Sequence, residues 1–117
     1  MRLGQAGNVD VRVHRGSRYS VYLRLKDAAG GPLDLTSYMP VKMKVAHKWT
    51  DEFSFLEIEA SLVCLPEDGE VVFEILPEHT EDLPVKGYDM TIVADEYTVL
   101  HGRFGVLPRN RPVQEVL

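Results

Sequence analysis

The sequence predicts an all-β chain: seven or eight short strands in an antiparallel sandwich or barrel, with at most one short helix. Three observations carry that prediction. Apolar and polar residues alternate with a period of two through most segments, the pattern of strands with one face in a core. Turn-forming clusters of Gly, Pro, Asp and Asn recur between those segments. A single stretch, residues 77–83 (PEHTEDL), reads as one or two helical turns, with acids near its start and Pro84 and Gly87 beyond it.

In chain order, residues 1–8 read as a loose arm containing Gly4, Gly7 and Asn8. Val9, Val11 and Val13 alternate with Asp10, Arg12 and His14 in a first strand that ends near Gly16. Tyr19, Val21, Leu23 and Leu25 then alternate with polar residues in the strand around which the chain is organised. It stops at Asp27, where DAAGGP supplies a corner: Gly30 and Gly31 tolerate unusual backbone angles and Pro32 removes a ladder donor. Asp34 is placed to accept from amides just ahead and lock a turn or a single 3₁₀ turn. Pro40 opens a third strand, Val41, Met43 and Val45 alternating with Lys42 and Lys44.

Beyond a loop at Trp49 the phase shifts, with Phe53 and Phe55 on one face and Leu56, Ile58 and Ala60 on the other. A bend or bulge near Phe55 is expected there. Residues 60–65 and 70–76 form a hairpin about Pro66–Gly69, and Tyr88, Met90, Ile92 and Ala94 form the next strand. Asp95 and Glu96 turn into a last strand carrying Leu100, Gly102, Phe104 and Val106 on one face. The expected core is Val21, Leu23, Val41, Met43, Val45, Phe73, Ile75, Tyr88, Met90, Ile92 and Phe104. One sandwich domain is expected over 9–107, followed by an extended tail, 108–117, in which prolines oppose a helix.

Composition narrows the function. A chain of 117 residues, 44% hydrophobic and 26% charged, suits one ordinary globular domain. Its apolar runs are too short for a membrane span, and its first ten residues lack a signal peptide's apolar core, so no membrane partner is expected. Cys64 is alone, which fits a reducing compartment. The net charge of −5 is unevenly placed: nine Lys/Arg against three Asp in 1–48, Lys86 against fourteen acids in 49–102, and three Arg against Glu115 in 103–117. Such a split fits subunits that stack head to tail, or simply solvated surface. It does not fit nucleic-acid binding.

No catalytic constellation is legible. His14, His47, His79 and His101 lack the spacing of a zinc site, and no metal or other cofactor is expected. Glu57, Glu59, Glu70 and Glu74 have the even spacing of a strand's wet face, and only superficially resemble a glycosidase carboxylate pair. Cys64 reads as a small buried hydrophobe. Asp34 is a conceivable cation ligand, but the turn-locking role requires nothing further.

Three motifs carry a resemblance. They are Asp27, Gly30, Pro32, Asp34, Leu35, Thr36 and Tyr38; then Thr80, Leu83, Gly87, Tyr88 and Asp89; then Leu100, Gly102, Phe104 and Val106. In this order they resemble a family of small structural proteins and domains of tailed bacteriophages, similar to the N-terminal domains of upper baseplate proteins. The family pattern has glycine where Ser37 stands. The resemblance implies an immunoglobulin-like β-sandwich and a non-enzymatic structural subunit of a virion, in its tail, baseplate, neck or fibre attachment. Such a subunit is made in the host cytoplasm and meets other virion proteins and copies of itself. The expected contact segment is the tail, with Arg109 and Arg111 meeting carboxylates and Val113, Val116 and Leu117 supplying apolar area. The competing expectation is a free-standing module that binds a carbohydrate or host protein through Trp49, Tyr22 and Phe53.

Overall fold

A computed structural model describes residues 7–48, 50, 51 and 53–108. Trp49, Arg109, Arg111, Val113, Val116 and Leu117, and with them the expected tail contacts, lie outside the described residues. So do residues 1–6 of the expected arm, whereas the first strand begins at Gly7, two residues earlier than the periodicity indicates.

Among the described residues, eight strands form two packed sheets. β1 is Gly7–His14, β2 Tyr19–Arg24, β3 Val41–Ala46, β4 Leu56–Glu59, β5 Ser61–Leu62, β6 Glu70–Ile75, β7 Gly87–Ala94 and β8 Tyr97–Leu107. One sheet has the order β1-β8-β7-β3-β4 and the other β2-β6-β5. This is an immunoglobulin-like sandwich in which the first strand has joined the larger sheet. The only α-helix among the described residues, α1, is the four-residue turn Pro77–Thr80. The amide just before it is satisfied by a side chain, since Leu76 N–H donates to His79 Nδ1 at 2.8 Å.

One ladder departs from the antiparallel expectation. β1 and β8 run parallel, from Gly7 beside Leu100 to His14 beside Leu107. The short turn after His14 does not make a hairpin; it carries the chain from one sheet to the other. Gly16 N–H donates to the buried Thr80 hydroxyl at 2.9 Å, fixing that crossing against α1. β1 lies so close to β8 that a Cβ on Gly102 would collide with the Val9 carbonyl.

The core fills the space between the sheets. Val41, Met43, Val45, Phe73, Ile75, Tyr88, Met90, Ile92 and Phe104 are all buried, as their periodicity predicts. Val21 and Leu23 are only half-buried, because β2 is an edge strand. Leu33 and Leu35 take interior places instead, both with no exposed surface. The bend expected near Phe55 is present, with Phe55 itself in a bend just before β4. A separate register shift at Ile92 and Val93 opposite β8 turns Val99 inward.

Tyr88 closes one end. It is buried at the start of β7, and its hydroxyl donates to the Pro84 carbonyl at 2.8 Å. This is the tyrosine corner of immunoglobulin-like folds, here with Met90 rather than a cysteine two residues on. Burial pushes the phenol's pKa above its ordinary value.

Candidate interaction surfaces

The Asp27–Tyr38 motif builds the β2–β3 connection. Asp27 Oδ1 accepts from the amides of Ala29 at 2.9 Å and Gly31 at 3.1 Å, and the Asp27 amide donates to the Gly31 carbonyl at 2.9 Å. Asp34 Oδ1 accepts from the Thr36 amide at 3.0 Å and hydroxyl at 2.6 Å, starting a 3₁₀ turn, Leu35–Ser37. Those two bonds, the hydroxyl's first, hold the Asp34 carboxyl below its ordinary pKa. Both bonds fall on the same oxygen, Oδ1. The role of this motif is to bury Leu33 and Leu35 and fix the loop that carries them.

Beside this loop lies the outer face of the three-stranded sheet. Ser20 donates to Glu74 at 2.8 Å and Arg24 pairs with Glu70 at 2.7 Å, flanking Tyr22, which is 68% exposed. A groove of about 460 Å³ is lined by Tyr22, Arg24, Lys26, Val63 and Glu70, with Leu23 and Val71 at its base. Val63 and Leu65 are exposed as well. Cys64 between them is exposed rather than buried, because β5 stops at Leu62 and the chain leaves the sheet there.

The larger sheet presents a charge ladder. Lys42 and Lys44 each stand 3.8 Å from Glu57, and Arg103 pairs with Asp89 at 2.9 Å. Each of these ion pairs, like that of Arg24 with Glu70, joins a base from one end of the sequence to an acid of its middle. Across these pairs the charge blocks of the sequence are interleaved in space. A small polar hollow of about 190 Å³ lies at Lys44, Lys48, Asp51, Ser54, Asp89 and Thr91.

A third surface surrounds the tyrosine corner. The Phe55 ring lies 5.0 Å and the His47 ring 5.6 Å from that of Tyr88. Lys86 Nζ reaches His47 Nδ1 at 2.8 Å and stands 5.0 Å from the centre of the Tyr88 ring. Phe53, 80% exposed, and Val85 lie in the loops beside this group.

Among the described residues the aromatics expected for a carbohydrate module lie apart: Tyr22 is on β2 of the smaller sheet and Phe53 in the loop between β3 and β4. The four strand glutamates are equally divided, Glu57 and Glu59 on β4 and Glu70 and Glu74 on β6. Glu57, Glu70 and Glu74 are engaged by Lys, Arg and Ser respectively, so they form no facing carboxylate pair. No group of three or more His, Cys, Asp or Glu able to hold a metal occurs among the described residues. Sequence periodicity missed Val63 and Leu65, although the apolar run 62–65 is longer than a two-residue strand can bury.

No protein-family model matches the chain. It is similar to the ATP phosphoribosyltransferase regulatory subunit of Ralstonia pickettii, 31% identical over 108 residues. That match covers 86% of this chain but 27% of the relative, so the chain spans about a quarter of that protein's length. The relative is named as part of an enzyme's regulatory apparatus. This overturns the expectation of a structural subunit of a phage virion.

Proposed function

We propose that the chain is a non-catalytic regulatory module that acts by binding another protein. The observation that carries this reading is the similarity to a regulatory subunit over most of the chain. The geometry is compatible with it: the interior is filled by side chains with no exposed surface, and the strand carboxylates serve ion pairs and hydrogen bonds. Fold alone assigns no activity, and two open sheet faces are what a docking module offers. The partner proposed from the relative's name is a catalytic chain of ATP phosphoribosyltransferase.

The test is to add the purified chain to the Ralstonia pickettii catalytic chain and follow phosphoribosyl transfer and co-elution on gel filtration. A stable complex with an altered rate is the expected result. The absence of both co-elution and any change in rate at saturating chain would overturn the reading.

A further inference from the structure

We infer that β2 is the contact strand of a symmetric dimer, pairing antiparallel with β2 of a second copy about an axis through Tyr22. β2 is at the edge of its sheet, with a partner strand on one side only among the described residues. The Leu25 amide donates to the Gly69 carbonyl at 2.8 Å, across the β2–β6 ladder, so odd-numbered residues of β2 aim their backbone groups at β6. Ser20, Tyr22 and Arg24 therefore aim theirs at the open edge. An exposed edge of this kind is a template for another strand.

The register that pairs Tyr22 with its own counterpart is complementary on both faces. Inward, Val21 meets Leu23 of the second copy and Leu23 meets its Val21. These two side chains are half-buried in the single chain, while Phe73 and Val71 opposite them on β6 have no exposed surface. A second β2 supplies the missing cover. Outward, Ser20 stands beside Arg24 of the second copy. Glu74, already bonded to Ser20, then faces that guanidinium from the next strand, so each Arg24 lies between a Glu70 and a Glu74. The two Tyr22 rings meet at the axis, where each is otherwise 68% exposed. A dimer built this way is closed and isologous. Self-pairing does not depend on what the sandwich regulates.

The test uses the full chain with Cys64→Ser, because Cys64 is exposed and would cross-link on its own. Sedimentation should show a monomer–dimer equilibrium. Tyr22→Lys, placing like charges opposite each other at the axis, should raise the dimer dissociation constant about tenfold or more without changing the circular dichroism. Tyr22→Cys should form an intermolecular disulfide on mild oxidation, since facing residues in this register lie about 5.5 Å apart, within disulfide reach. Ser20→Cys should not, because the register holds the two copies of position 20 four residues apart. A chain monomeric at every concentration, a dimer indifferent to Tyr22→Lys, or equal cross-linking at 20 and 22 would each overturn the inference.

Discussion

At the scale of single residues, the carboxylates of Asp27 and Asp34 replace regular ladder partners. Each satisfies amides that a chain reversal would otherwise leave unpaired. Asp34 has a measurable consequence, because its two bonds from Thr36 favour the charged form. A folded pKa below the unfolded value gives stability that is present above the unfolded value, 3.8, and is lost as pH falls through the folded one. Asp34→Ala should therefore lower the melting temperature at neutral pH. The gap from the parent should narrow as pH falls below 3.8 and close once the parent's own carboxyl is protonated. Thermal melts across an acid series check this; a gap that stays constant to the acid limit would detach the carboxylate's charge from the turn.

At the scale of elements, the β5–β6 turn depends on one backbone position. Gly69 has φ 68°, and a Cβ there would lie 2.6 Å from the Leu25 carbonyl and 2.9 Å from that of Leu33. Gly69→Ala combines a disfavoured backbone angle with a collision against main-chain atoms, and should cost roughly 1–3 kcal/mol in urea titration. A loss below about 0.5 kcal/mol would show that the loop yields. Much of this architecture was legible in the sequence. Strand periodicity placed β3, β6 and β7 and their buried residues, and the spacing of Asp34 and Thr36 announced the 3₁₀ turn. The parallel pairing of β1 with β8 was not legible, since alternation tells which face is buried and not which neighbour runs alongside. Nor was the exposure of Cys64 and Leu65, which follows from β5 ending after two residues. The interaction surfaces were the least legible. They bring together Tyr22, Val63 and Glu70 from three separate segments, and their chemistry is ordinary at each.

At the scale of the whole molecule, the interleaving of charge matters less than the unfinished edge. The ion pairs are on the surface, and each contributes about 0–1 kcal/mol, so they set the surface pattern rather than the stability. Burial sets the stability, and Leu23, with Val21 beside it on β2, is incompletely buried in the single chain. A fully buried Leu→Ala change costs about 2–5 kcal/mol, from lost transfer energy together with the cavity left behind. A half-buried leucine at an open edge loses part of the first term and leaves little cavity, so Leu23→Ala should cost about 1–2 kcal/mol in dilute solution. Pairing of β2 with a second copy completes the burial and links folding to concentration by mass action. The parent's melting temperature should then rise between two samples about a hundredfold apart in concentration, and the penalty of Leu23→Ala should grow with it. Paired melts at the two concentrations measure both effects. A full 2–5 kcal/mol penalty, the same at both, would mean that the chain's own atoms cover Leu23 and that β2 needs no second copy.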